Sequence, residues 1–204
     1  TRHLVSSTRF VFVFANAYRQ FDDPDYLGMV RHGVDFLRRV HRDPATGGYA
    51  WQLEWRDGQA RVLDGDNHCY GLAFVLLAYS HALMAGLPEA RAWIDETFAL
   101  MERRFWEPEH GLYADQASAD WGILSPYRGQ NANMHACEAL LAAWRATGHR
   151  PYLERAELLA WNITQRQASR ANGMIWEHYR QDWSPDWDFN LGNKSDRLRP
   201  WGYQ

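Results

Sequence analysis

The stretch "GQNANMHACEALLAAW" (residues 129–144) decides the fold. It starts polar, with Asn131, Asn133, His135 and Glu138 inside two helical turns, and continues in Ala, Leu and Trp on most faces. Two other stretches share its length and character: "STRFVFVFANAY" (7–18) and "CYGLAFVLLAYSHAL" (69–83). They align at a spacing of 64, Val11 to Val75 to Ala139. Each is followed by a proline that opens an amphipathic segment, Pro24, Pro88 and Pro151, separated by 64 and 63 residues. Proline suits the first helical turn, where its missing N–H is not needed. Each amphipathic segment runs into a glycine turn, at Gly48, Gly111 and Gly173, 63 and 62 residues apart. Several anchors at one period identify an internal repeat.

The unit is therefore an apolar helix, a short turn, an amphipathic helix with one apolar stripe, a β-like turn and a long loop. A helix that is apolar all round is buried, and one with a stripe covers it from outside. Hairpins at this period stack side by side, with the apolar helices innermost. The expectation is a single all-α domain over 1–204, a partial (α/α) toroid of three repeats of about 63 residues. Short strands are expected near 49–55, 112–116 and 174–179. Three hairpins make half of a six-hairpin ring, and by the period residue 204 falls where a fourth inner helix begins. The chain is accordingly expected to be part of a protein about twice as long.

The repeat also bears on His135 and Glu138. Glu138 takes the position of Phe10 and Phe74 in the other units, and His135 that of Ser7 and Gly71. A carboxylate in place of an aromatic on an inner helix must be paired or face a wet cavity, because a lone buried charge is costly. Three residues apart, the two side chains share a helix face. The carboxylate can then hold one imidazole nitrogen and leave the other as a base. A di-metal carboxylate bundle would need Glu-x-x-His on two helices, and no second copy is found. No metal and no cofactor are expected.

Composition narrows the partners. A net charge of −3 offers no basic face to nucleic acid. No apolar run approaches the ~20 residues that span a bilayer. No leader-like region opens the sequence, and Cys69 and Cys137 make no disulfide framework, so a cytoplasmic setting is expected. There are 11 Trp, 10 Tyr and 9 Phe, many beside Gly, Asp, Asn or Arg, as in "GGYAWQLEW" (47–55) and "QDWSPDWDF" (181–189). Rings with polar neighbours suit a ligand with apolar faces and hydroxyls, a monosaccharide. The loops feeding the inner helices, "DGDNH" (64–68), "SPYRGQN" (125–131) and "NKSDRLRPW" (193–201), should converge at one end, where function is usually carried. The expected sugar contacts are Arg9, Tyr49, Trp51, Asn67, His68, Arg128, Asn131 and Glu177, with Arg199 a further donor in the last loop. Arg9 on an apolar inner helix needs a partner or a ligand. A homodimer is left open.

The segments "RGQNANMHACEALLAAW", "NHCYGLAFVLLAY", "HLVSSTRFVFVF" and "RLRPWGYQ" resemble the N-acylglucosamine 2-epimerase superfamily, and within it the bacterial aldose–ketose isomerases of the D-mannose isomerase type. The likeness covers essentially the whole chain, and N-x-N-M-H-x-x-E-A is its most specific motif. It implies an (α/α)6 barrel that opens a pyranose and moves a proton next to the carbonyl without metal. A histidine removes the C2 proton, and a cis-enediol collapses to the ketose at C1 or to the epimer at C2. The motif's histidine and glutamate fall on His135 and Glu138, and the arginine of the family's T-R pair falls on Arg9. There are two departures. The family's second histidine, in G-H-x-x-E-W, is absent from these 204 residues, so full activity is not expected of them alone. Leu72 stands where some relatives carry a sugar-binding histidine, with His68 one turn earlier as a substitute. The residues leave open a 2-epimerase of N-acylglucosamine or a disaccharide, although no Gly-rich phosphate loop supports the nucleotide-dependent branch. A glycoside hydrolase using Glu138 with Glu177 or Asp188, and a sugar-binding protein without chemistry, also stay open.

Overall fold

The computed structural model describes residues 1–190 and Gly192, so the loop at 193–201, with Arg199, and the segment "RLRPWGYQ" lie outside the described residues. Six helices of eight or more residues form three hairpins: α1 (Leu4–Phe21) with α2 (Pro24–Phe36), α3 (Cys69–Met84) with α4 (Ala90–Arg104), and α5 (Gln130–Thr147) with α6 (Arg150–Trp161). The first helix of each pair packs on the next, α1 on α3 and α3 on α5, while α2, α4 and α6 cover them from the other side. The three hairpins are thus packed in the same way.

Helix α3 lies between α1, α5 and α4, and every residue from Gly71 to Ser80 is buried. That is why its sequence is apolar all round. Each Leu or Val so enclosed contributes about 1.5–3 kcal/mol. Helix α1 ends at Asp22, left-handed at φ 52°, and Asp23 then caps α2, its Oδ1 accepting from the Asp25 N–H at 2.9 Å with Pro24 in the first turn. Pro88 instead sits in the turn just before α4. Gly148, at φ 71°, stops α5.

Short antiparallel pairs tie the hairpins together at one end. Strands β1 (Arg2–His3), β2 (Gln52–Arg56) and β3 (Gln59–Asp64) form a three-stranded sheet in that order. Strands β4 (Asn67–His68) and β7 (Gln116–Ala117) pair, as do β5 (Trp106–Glu107) with β6 (Leu112–Tyr113) and β8 (Arg128–Gly129) with β9 (His178–Tyr179). Strand β2 falls on the strand expected near 49–55, whereas the expectation did not include its hairpin partner β3. Strand β3 is mostly solvent-facing and lacks the apolar alternation that marks a half-buried strand.

The glycine turns are held by asparagines from neighbouring segments. Asn67 Oδ1 accepts the Tyr49 N–H at 3.0 Å, Asn133 Oδ1 accepts the Tyr113 N–H at 2.8 Å, and Asn162 Nδ2 donates to the Gly111 carbonyl at 2.8 Å. The approach is so close that a Cβ on Gly48 would meet Asn67 Oδ1 at 2.3 Å. The left-handed residue of that first turn is Gly47, at φ 76°. Between hairpins, Arg38 and Arg42 both clasp Glu96 on α4, and Arg155 of α6 clasps Glu102 of α4. No helix among the described residues is long and apolar enough to cross a membrane.

Candidate functional site

The polar starts of the inner helices and the strand pairs before them lie together at one end of the layer. On α5, Asn131, His135 and Glu138 follow at i, i+4 and i+7 and form one stripe. His135 Nδ1 lies 2.9 Å from Glu138 Oε2. A carboxylate accepts and does not donate, so in the neutral ring Nδ1 carries the hydrogen and Nε2 the lone pair. The His135 side chain is 20% exposed and that of Glu138 55%, so the pair opens to solvent. The carboxylate that replaced an aromatic is therefore both paired and wet.

The walls are aromatic. The His135 ring meets the edge of Tyr70 at 5.0 Å between centroids and lies 4.8 Å from Phe74, both on α3. Arg9 of α1 extends its guanidinium over the other side of this group, 5.0 Å from the Phe74 centroid. A cation over a ring face gains about 0.5–1 kcal/mol at an exposed site. Arg9 thus finds a ring as its partner and keeps an exposed flank. Trp51 and His68 lie nearly face to face at 4.0 Å, and Trp51 reaches Tyr70 at 6.2 Å. One chain of rings thus runs from His68 through Trp51 and Tyr70 to His135 and Phe74. Burial lowers the His68 pKa, favouring the neutral ring, and its Nε2 is buried without a hydrogen-bond partner among the described residues.

Glu177, beside β9, is buried at the head of the α5 stripe, where Oε1 lies 3.4 Å from the Asn131 N–H. Burial pushes its carboxyl up to about 8, with the Asp115 charge adding to the rise and the Asn131 N–H opposing it. Asp115 is itself pushed up to about 6 by burial, against the pull of Arg128. Sequence reasoning missed Asp115. Its one signal was a carboxylate next to a glycine turn, and only folding brings its Oδ2 within 2.6 Å of where a Gly129 Cβ would stand.

Three of the expected sugar contacts, Arg128, Tyr49 and Asn67, lie buried with hydrogen-bond partners inside the fold. Arg128 is fully buried, its Nε donating to Glu107 Oε2 at 2.9 Å and its Nη1 to the Tyr127 carbonyl at 2.9 Å. A buried guanidinium needs this partner, since an unpaired charge in the interior is costly. Tyr49 is 3% exposed and bonds the Tyr79 hydroxyl at 3.0 Å. Asn67 is 1% exposed and also donates to the Ser118 and Ala119 carbonyls. Their polar atoms are spent on the fold. Of the other expected site residues, Arg9 and Glu138 are exposed, Trp51, His68, Asn131 and His135 are half-buried, and Glu177 is buried.

The sequence profile of the N-acylglucosamine 2-epimerase (GlcNAc 2-epimerase) family matches residues 1–204. The D-mannose isomerase of Marinomonas mediterranea is 55% identical over 205 residues, covering 100% of this chain and 51% of that protein. A crystal structure of D-mannose isomerase superposes with a TM-score of 0.92 at 53% identity, covering 100% of this chain and 51% of that one. The cellobiose 2-epimerase of Spirochaeta thermophila superposes at 0.82 with 26% identity, over 91% of this chain and 48% of that one. The chain spans about half the length of the curated relatives it matches. With the hairpin repeat and the His135–Glu138 motif in place, the chain belongs to the N-acylglucosamine 2-epimerase family.

Proposed function

We propose that these three hairpins form half of an (α/α)6 barrel, and that the whole barrel interconverts an aldose and a ketose, D-mannose and D-fructose in type. The single observation that carries the reading is the His135–Glu138 pair, 2.9 Å apart and open to solvent against an aromatic wall. The half-length match to proteins named D-mannose isomerase supports it.

The chemistry follows from the geometry. In an open-chain aldose the C2 proton is acidified by the adjacent carbonyl, and a positioned imidazole can take it. Glu138 accepts from the Nδ1–H and so leaves the Nε2 lone pair to act as the base. Charge that develops on the sugar oxygens needs fixed donors. Arg9 at the rim and the Asn131 side chain in the same stripe are placed to supply them. Trp51 and Tyr70 offer flat faces to the sugar's C–H surfaces. A proton returned to C1 gives the ketose, and one returned to C2 from the other side gives the epimer. In this reading the side chains do the proton transfer without metal. We place the reaction in the cytoplasm, a setting that suits two free cysteines.

The test is the intact enzyme with D-mannose in D2O, followed by NMR. Fructose carrying deuterium is expected, and His135→Asn should abolish both ketose and exchange with an unchanged circular dichroism spectrum. Absence of both in the unmodified enzyme overturns the reading. An epimer without net ketose assigns the site to 2-epimerisation, and release of a chromogenic aglycone assigns it to hydrolysis.

A further inference from the structure

Glu177 is 9% exposed, yet no cation among the described residues lies at hydrogen-bond distance from it. One oxygen meets only the long 3.4 Å contact from the Asn131 N–H, and the other, Oε2, is buried with no hydrogen-bond partner among the described residues. Asn131 Oδ1 is also a buried acceptor without a donor. An ionised carboxylate left so poorly solvated costs several kcal/mol, and a proton removes the cost. The groups around it do not favour a charge. Asp115 faces it from the segment between β6 and β7, and Tyr127 from the approach to α5. Tyr179 lies on its own strand side, and the Asp186 charge reaches the same cluster through Tyr127. Among the described residues the buried cation nearby is Arg128, which is committed to Glu107 and acts on Asp115.

The position matters for the rest of the site. The Glu177 carbonyl accepts the Gln130 N–H at 3.0 Å, and β8 and β9 pair through Gly129 and His178. The first turn of α5 is therefore clamped to the Glu177 backbone and side chain together. One turn on is His135, and one further is Glu138. We propose that Glu177 is a positioning residue that works as a neutral carboxylic acid, holding the first turn of α5, and through it Asn131 and His135, for as long as it keeps its proton. When the proton leaves, a charge appears beside Asp115 in a dry pocket, and the clamp must loosen to admit water. The activity part of this inference rests on the isomerase reading above, whereas the protonation and the clamp do not.

Two measurements on the intact enzyme test it. In difference infrared spectra, a protonated carboxyl band should be present at pH 6, disappear as pH rises through about 8, and be missing in Glu177→Gln. The 15N shifts of the His135 ring should show a titration step near pH 8 in the unmodified enzyme that is missing in Glu177→Gln, which mimics the neutral acid. The alkaline limb of kcat/KM should fall about tenfold per pH unit, vanish in Glu177→Gln, and move to lower pH in Asp115→Asn. An absent band at pH 6, or His135 shifts that ignore the titration, overturns the proposal whether or not mannose is turned over. A band and coupled shifts with no sugar turnover would uphold Glu177 and overturn the isomerase reading alone.

Discussion

Arg128 distinguishes a sugar-binding arginine from a structural one, and the two readings diverge in magnitude. Its guanidinium is fully enclosed and makes two charge-assisted hydrogen bonds to Glu107, one of 2.9 Å, and two more to the Ser125 and Tyr127 carbonyls. Glu107 Oε2 also accepts from the Trp183 indole at 2.8 Å. Glu107→Ala removes three of these hydrogen bonds and leaves a buried cation and a buried indole N–H unpaired. Breaking a buried pair from one side costs about 3–5 kcal/mol. The Glu107 side chain is 20% exposed, so water can reach the vacated space and the lower end applies. At about 2–4 °C per kcal/mol for a domain of this size, Tm should fall by roughly 6–12 °C. Arg128→Met should cost a similar amount, since it leaves Glu107 without its cation. The double variant Glu107→Leu, Arg128→Met should recover much of the loss, because apolar replacement of a whole buried pair is often neutral. Differential scanning calorimetry of the three variants reads this directly. An Arg128→Met enzyme with unchanged Tm and a raised KM for the sugar would refute the reasoning and return Arg128 to the substrate.

Further expectations follow from the same geometry. Stability should fall with rising pH, because Glu177 and Asp115 are raised in the fold to about 8 and about 6, so the folded state keeps protons that the unfolded chain has already released. Their contribution is complete below pH ~4 and is lost by pH ~8, on the order of a few kcal/mol, and urea titrations should find the slope largely flattened in Glu177→Gln. Gly48→Ala places a methyl 2.3 Å from Asn67 Oδ1 and should strip the Tyr49 N–H of its acceptor, costing about 1–3 kcal/mol by denaturant midpoint. Glu138→Gln should leave the fold stable and lower kcat by up to about a hundredfold, because an amide can donate to Nδ1 as well as accept and no longer fixes the tautomer.

Some of this was legible in the chain alone. The 63–64 residue period, the alternation of all-apolar and striped helices, and the proline and glycine punctuation are local features that leave direct marks on the sequence. So is the pairing of His135 with Glu138, because i and i+3 on one helix are neighbours in any fold that keeps the helix. The chain by itself could not separate Arg128, Tyr49 and Asn67 from Arg9, Trp51 and Asn131. All six are polar or aromatic residues in or beside loops or in the first turns of inner helices, and whether each meets a ligand or a distant carbonyl depends on segments far along the chain. Glu107 lies 21 residues before Arg128, and Ser118 lies 51 after Asn67. Asp115 and Glu177 acquire their raised affinity for protons in the same way, only when β8 and β9 bring two carboxyls from separate loops into one dry space. Periodicity determines helices and their neighbours, while the charge and solvation of a side chain are set by what tertiary packing places around it.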